Sequence, residues 1–434
     1  METIQYQVNR EIPVTAETDV LVIGGGPGGI GAAVMAARQG VKTMLAERFG
    51  CPGGMAVFGE VTPFMRSHVK NRALDRPVYV DWCRRMQAYR SDDVRQKFPF
   101  DEEQAGGMVC KDEAMLAMED LLLESGVTPL YHHTLTDVIM KDGRIDAAVF
   151  HSKSGLSAIR AKIFIDSTGD GDLAVLAGCP FEFGNADGFC QPMTTCFKLS
   201  GVDRSRMPDR AGINVLYDKA KAAGEIRCPR ENVLWFLTPE EDVIHFNTTR
   251  IIKLSGVRGD ELSQAEIEGR RQIRQFLTFL KKYVPGFEQA RIHSIALHVG
   301  IRESRRIRGL VYQTADDFRR AAKFPDGIAK VRYCIDIHNP SGTGTTILDL
   351  PPDEWYEIRY GSIVPQNSRN LLMGCRAISV DHELHSSSRV MPPVCSVGQA
   401  AGMAASLCVK KDCEPAELDG AEVRKHLAEA GAWL

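Results

Sequence analysis

Gly24, Gly26 and Gly29 stand at the spacing GxGxxG, inside Gly24-Gly25-Gly26-Pro27-Gly28-Gly29. Glycines so spaced can hold a pyrophosphate. The first permits a tight turn, the second lets phosphate approach the backbone, and the third lets a helix pack close to a strand. A helix starting there adds free N–H groups and the positive end of its dipole. Glu47 follows eighteen residues after Gly29, near the spacing of an acid that binds ribose hydroxyls. In a chain with 39 glycines the run alone is weak evidence, but its context is complete. Asp19-Val20-Leu21-Val22-Ile23 precedes it, the Ala-rich stretch 31–37 follows, and a second apolar run, 42–46, ends on Glu47. The order is strand, glycine turn, helix, strand, acid.

A second set of residues could move protons or hold an anion. Arg302, Glu303, Arg305, Arg306 and Arg308 form a dense charged segment after the strand-like stretch 295–301. Arg302 is read either as a clamp on a substrate oxyanion or as part of an ion-pair cluster; Arg305 to Arg308 are read as the cluster. Asp336 and His338 share one side of the chain if 331–337 is extended. A His oriented by a carboxylate suits a general base with a pKa near neutrality; the alternative is a buried, hydrogen-bonded His. In Asp381–Arg389, His382 is the preferred site residue, His385 is equally a solvated loop residue, and Arg389 is read as a loop anchor. His382 and His385 have no further ligands nearby in sequence, so no metal site is expected. Tyr312, Tyr333 and Tyr360 are assigned to packing. Cys51 has no CxxC partner, which argues against disulfide-reductase chemistry.

The elements that must position these residues follow from periodicity and turn residues. At 434 residues, two domains are the default. The stretch 81–89 is read as a helix and 98–100 as a turn. Residues 111–125 form a helix with Met115, Leu116, Met118, Leu121 and Leu122 on its apolar face. Short strands follow at 128–132, 136–140, 145–151 and 156–160, with Asp142-Gly143 and Ser154-Gly155 as turns. A separate buried strand, 162–166, leads into Ser167-Thr168-Gly169-Asp170, beside the dinucleotide. From 181 the chain changes character, with a charged helix at 264–283 and scattered aromatics. From about 355 it returns to the first domain, through a strand at 370–373 and a small-residue helix at 398–407.

The net charge of -3 argues against nucleic-acid or anionic-membrane partners. No apolar run approaches a bilayer span, and the N-terminal residues do not read as a secretory signal. The twelve Cys contain no CxxC pair, so clustered iron–sulfur ligands are not expected and a reducing, cytoplasmic setting is.

Three features favour FAD over NAD. The motif opens the sheet, a second glycine patch (Gly50-Cys51-Pro52-Gly53-Gly54-Met55-Ala56) follows Glu47, and the fingerprint occurs once. The chain resembles the FAD-dependent oxidoreductases of the glutathione-reductase-like FAD superfamily, near the fumarate reductase and succinate dehydrogenase flavoproteins. The resemblance rests on 19–33, 53–56, 165–174, 302–309, 336–338, 370–376, 388–392 and 398–402. It implies noncovalent FAD and a site where an FAD domain meets a substrate domain.

The fold expected is α/β. A Rossmann-like FAD-binding domain of discontinuous segments (1–180 and 355–434) would carry an inserted α+β substrate domain (181–354). The cofactor contacts expected are Gly24, Gly26, Pro27, Gly28, Gly29, Glu47, Arg48, Gly53, Gly54, Met55, Ala56, Leu135, Thr168, Gly169, Asp170, Gly374, Arg376, Gly398, Gln399 and Ala400. The helix after Gly398 is expected to aim its positive end at the flavin. The activity expected is two-electron dehydrogenation of a small polar metabolite by hydride transfer to flavin N5. His338 or His382 would be the base and Arg302 the orienting cation, with an external electron acceptor and a homo-oligomeric state as further expectations. The alternatives are ene-reduction of an unsaturated carboxylate, an NAD-dependent dehydrogenase, and a flavin-binding assembly factor without turnover.

Overall fold

The computed structural model describes residues 4, 5, 9, 11–98 and 106–434. Pro99 and Phe100, within the turn expected at 98–100, lie outside the described residues. Strand β1 (Val14–Ile23) runs into the glycine turn, helix α1 (Pro27–Arg38) leaves it, and strand β2 (Thr43–Ala46) returns beside β1 in parallel. Val20, Leu21 and Val22 are fully buried, as expected for a parallel strand covered on both faces.

The strand segments expected at 156–160 and 162–166 are one strand, β3 (Gly155–Asp166). The whole strand is held together because β1 runs parallel along it from Val14↔Ala158 to Ile23↔Asp166. Its other edge is shared. The first half pairs antiparallel with Arg144–Ser152, and the last three residues pair parallel with Leu371–Met373. The carboxyl ends of β1, β2, β3 and Leu371–Met373 therefore meet at one sheet edge, where open α/β sheets bind ligands.

Helix 111–125 is found as Lys111–Glu124, but its buried face is Ala114, Ala117, Met118, Leu121 and Leu122. Leu116 is exposed; the small Ala114 and Ala117 face inward instead, with the carbonyl of Ala114 accepting from Trp82 Nε1.

A four-stranded antiparallel sheet (Phe197–Ser200, Trp235–Leu237, Ile244–Phe246 and Arg291–Ile295) is backed by the helix Gly259–Tyr283. Its apolar cluster runs from Phe197 to Ala290. Apolar packing divides the chain elsewhere than at 181 and 354. Ile307, Phe318, Ile328, Tyr356 and Ile358 join the first cluster, with Val20 and Phe164. The cause is local. Strand Gly327–Val331 pairs with Tyr356–Arg359, and both are buried.

Strand β4 (Ile335–His338) pairs antiparallel with Thr345–Leu348 and sets His338 directly opposite Thr345. The stretch expected to be extended, 331–337, is broken at 332–334. Helix α2 (Met391–Lys411) begins seven residues before the expected Gly398. Pro392 and Pro393 sit in its first turn, where a missing N–H costs nothing. Among the described residues no helix is long and apolar enough to cross a membrane.

Candidate functional site

The glycine turn is fixed by close approach. Gly24 has φ +105°, and a Cβ there would overlap the Ser167 carbonyl. This brings the end of β1 against the loop after β3. Asp166 ties that loop down: Oδ1 accepts from the Thr168 N–H and hydroxyl at 3.0 and 2.7 Å, and Oδ2 from the Ala174 N–H at 2.9 Å. Burial pushes the Asp166 carboxyl up to about 6, against those hydrogen bonds.

A cavity of about 620 Å³ lies along this edge. Gly24, Gly26, Pro27, Gly28, Glu47, Arg48, Gly54, Met55, Leu135, Thr168, Gly169, Asp170 and Arg376 line it. Glu47 is 5 % exposed, and its carboxylate accepts from the N–H of Gly25 at 2.6 Å and of Phe49 at 3.0 Å. A carboxylate has about four acceptor positions, so each oxygen retains one for a hydroxyl. The first N–H groups of α1 have no partner within the helix, as at any helix start. Gly26 and Gly54 approach so closely that a Cβ on Gly54 would come 2.8 Å from the Gly26 Cα. Bare backbone at a helix start, beside a buried acid with spare acceptors, fits a pyrophosphate and its ribose.

Other expected contacts take different places. Gly29 packs on the Gly24 carbonyl, and Gly53 packs against Val57. Ala56 is wholly buried beneath the wall. Gly374 receives the Ser167 hydroxyl on its carbonyl at 3.0 Å, behind the cavity. Gly398, Gln399 and Ala400 are corrected: they lie in the middle of α2, away from the cavity. Gly398 is there because α2 crosses α1 at touching distance, and a Cβ would overlap the Gly28 carbonyl. Gln399 spends its amide on Val78 N–H and the Arg76 carbonyl, at 3.2 and 2.9 Å. The end of α2 on the cavity wall is Val390, Met391 and Val394. Its positive pole there suits a group that gains negative charge.

The far part of the cavity is lined by Arg230, Glu231, Asn247, Arg302, Tyr333, Asp336, His338, Thr345 and Arg389. His338 Nε2 lies 3.5 Å from Asp336 Oδ2, and Nδ1 lies 3.2 Å from Thr345 Oγ1. Tyr333 donates to Asp336 Oδ2 at 3.1 Å. Burial, then the Arg302 charge, pushes the His338 imidazole down to about 3, against the pull of Asp336. The near-neutral base expected from sequence is thereby corrected: the ring is neutral and weakly basic. The Asp336 carboxyl is raised by burial but held below its ordinary range overall by His338, Arg389 and Arg302.

Arg302 donates to the Pro192 carbonyl at 2.6 Å and to Asn247 Oδ1 at 3.4 Å. Arg230, 5 % exposed, donates to Asn232 Oδ1 at 3.2 Å. Among the described residues neither forms an ion pair. Arg389 reaches Asp336 Oδ2 only at 3.9 Å, and its buried Nε has no partner. Burial and the neighbouring Arg389 and Arg230 push the Arg302 guanidinium down to about 9. Three cations, only Arg389 within ion-pair distance of a carboxylate on this wall, leave the far cavity short of negative charge.

His382 is corrected. It is off the cavity wall, with Nδ1 2.8 Å from Glu303 Oε1. Glu303 is buried, paired with Arg306, and accepts from the Gln191 N–H at 3.0 Å. Arg305 and Arg308 pair with Asp172 and Glu182 at 2.7 and 2.8 Å. His385 is fully buried rather than solvated, and among the described residues neither ring nitrogen has a partner. Arg389 and Tyr333, assigned to anchoring and packing, both face the cavity. Arg230, Glu231 and Thr345 carried no sequence signal. They are polar residues in a loop and a short strand, and only the folded chain brings Arg230 and Glu231 to Thr345 and His338.

No curated protein matches the sequence. The family model for FAD dependent oxidoreductases matches residues 19–427. The fold is similar to a geranylgeranyl bacteriochlorophyll reductase-like protein from Thermoplasma acidophilum (11% identity over 96% of this chain and 84% of that one, TM-score 0.46). It is also similar to the flavin-dependent brominase Bmp2 (12% identity over 95% and 83%, TM-score 0.47). A third is the myxobacterial chondrochloren halogenase CndH (12% identity over 96% and 79%, TM-score 0.44). With its glycine turn, its buried acid and a family match over nearly its whole length, the chain belongs to the FAD dependent oxidoreductases, enzymes that work through bound FAD.

Proposed function

We propose that this enzyme dehydrogenates a small polar metabolite that carries an anionic group, in a two-electron reaction. The observation that carries this reading is the set Arg230 and Arg302, which among the described residues form no ion pair, with Arg389, whose one carboxylate partner stands at 3.9 Å; all three line the far cavity. A carboxylate of the substrate would supply the missing charge and fix the orientation of the reacting carbon. FAD, when bound, accepts the two electrons.

Gly24, Gly26, Pro27, Gly28, Gly54 and Glu47 would hold the nucleotide end, and the start of α2 would face the ring system. Arg302 orients the substrate. His338 Nε2 takes the hydroxyl proton, and Asp336, 3.5 Å away, stabilises the cation formed. In this reading 181–354 supplies most of the substrate-facing residues.

A second reading is ene-reduction of an unsaturated carboxylate. It is favoured by Arg302 and Arg230, buried cations on the cavity wall that would polarise the carboxylate of such a substrate.

Anaerobic bleaching of the yellow protein, tried with sugars, hydroxy acids, amino acids and enoates, tests both. Bleaching by a hydroxy acid and not by its neutral alcohol analogue is expected. Bleaching by neutral sugars alone would remove the anion clamp. Re-oxidation of chemically reduced enzyme by an enoate would select the second reading.

A further inference from the structure

His338 is too weak a base to keep a proton, so a proton it accepts must move on. We propose that Thr345 and Glu231 form a proton relay from His338 to solvent. The proposal rests on the reading of His338 as the proton acceptor.

The hydrogen bonds fix its direction. The Thr345 hydroxyl donates to Glu231 Oε1 at 2.8 Å. A hydroxyl has one proton, and a carboxylate only accepts. The contact between Thr345 Oγ1 and His338 Nδ1 at 3.2 Å is therefore donated by Nδ1–H. The neutral ring has one N–H, so Nε2 carries the lone pair. Nε2 then faces Asp336 Oδ2, two acceptors with no proton between them. A substrate hydroxyl placed there finds a base ready and an anion beside it.

The path also leads along the cavity wall to a more exposed group. The His338 side chain is 9 % exposed and that of Glu231 is 30 % exposed. Strand register places Thr345 directly opposite His338. Arg250, itself buried, grips Glu231 Oε2 at 2.8 Å and leaves Oε1 for Thr345. Glu231 is below its ordinary range overall: burial raises it, but its own N–H, the Thr345 hydroxyl, Arg230 and Arg250 outweigh that. It therefore passes a proton to water rather than storing it.

The steps balance. The substrate O–H bond breaks and an Nε2–H bond forms. Nδ1 gives its proton to Thr345 Oγ1 as that hydroxyl gives its own to Glu231 Oε1, and Glu231 releases one proton to water. After the product leaves, water entering the cavity takes the Nε2 proton while the chain returns one to Nδ1. This restores the starting tautomer: two protons have gone to water and one has returned, so the net release is the single substrate proton. The charged and titratable groups around the ring are Asp336, Tyr333, Arg302, Arg389 and, through Thr345, Glu231 with Arg250 and Arg230.

The test is nitrogen NMR on the FAD-loaded protein with 15N-labelled histidine, with His338 assigned through His338→Gln. The expected result is an Nδ1-protonated ring whose N–H exchanges with water about tenfold more slowly in Glu231→Gln. Thr345→Val should abolish the tautomer preference, and Thr345→Ser should restore it. Melting temperature and FAD content, unchanged in these variants, exclude a merely structural effect. An Nε2-protonated ring in the parent protein, or an exchange rate indifferent to Glu231→Gln, would overturn the relay. Its failure is separable from that of the reading beneath it. If His338→Gln leaves anaerobic bleaching by 2-hydroxy acids at its full rate, the acceptor assignment falls. If it slows bleaching while the exchange measurements fail, only the relay falls.

Discussion

The backbone N–H of Gly25 donates to Oε2 of Glu47 at 2.6 Å, so the glycine turn and the acid ending β2 are fastened to each other. Glu47 therefore shapes the turn, and in the proposed reading its remaining acceptor positions would serve a ribose.

Glu47→Gln is expected to weaken both. An amide nitrogen in place of either oxygen cannot accept from Gly25 or Phe49. Losing a charge-assisted bond costs about 1.5–3 kcal/mol, so FAD affinity should fall roughly 10- to 100-fold. Titration of the apoprotein with FAD, followed by flavin fluorescence, measures it. An unchanged affinity would remove Glu47 from the cofactor site.

Gly398→Ala should be destabilising by about 1–3 kcal/mol, because its Cβ would overlap the Gly28 carbonyl where α1 and α2 cross. Gly259→Ala, with nothing within 4 Å, is the control and should be near neutral. Urea unfolding of the two variants reads the difference. Equal midpoints would show that the helices can part without cost.

Arg230→Gln should leave FAD bound and weaken small carboxylates. Oxalate serves as the probe, through its perturbation of the flavin spectrum. Loss of one charge-assisted contact predicts a Kd raised about tenfold or more. An oxalate titration identical to that of the parent would argue that this cavity wall does not bind anions.

Asp75 gives a pH dependence with an unusual sign. Burial pushes its carboxyl up to about 7, against hydrogen bonds from Ser396 and Ser67. Between the unfolded value of 3.8 and about 7, the folded state binds a proton that the unfolded state does not. Its contribution is full below the unfolded value and is lost as pH rises through 7. Asp75→Asn should cancel that decline and be more stable than the parent at pH 8, by about 2–4 kcal/mol. Parallel stability–pH curves for the two proteins would contradict it.

The strand–turn–helix–strand unit beside the cavity was legible because its requirements are local. Gly24 to Glu47 is one continuous strand–turn–helix–strand unit, and its spacing alone implies where the phosphates and ribose go. Gly398 was misread for a related reason. Small residues in a helix mark close packing, but not what they pack against, and here the neighbour is α1 rather than a ligand. The proposed substrate half lacks such a local grammar. Asp336 and His338 could be paired by strand alternation, but nothing in the sequence brings Arg230 or Glu231 to them. His382 lost its expected role to Glu303, a long-range partner that no spacing foretold. The weak basicity of His338 depends on burial and on Arg302, which come only with the tertiary fold.

One strand edge carries a consequence for biosynthesis. β3 offers its outer edge first to the adjoining hairpin and then to Leu371–Met373, which the ribosome delivers long after β3 itself. The cavity wall at Cys375 and Arg376 arrives with that late segment. The nascent chain thus exposes an unpaired β3 edge and an open nucleotide cleft while the four-stranded sheet is being made. Such an edge is exposed to aggregation in that interval, and FAD can lock the fold only after Leu371–Arg376 has been made.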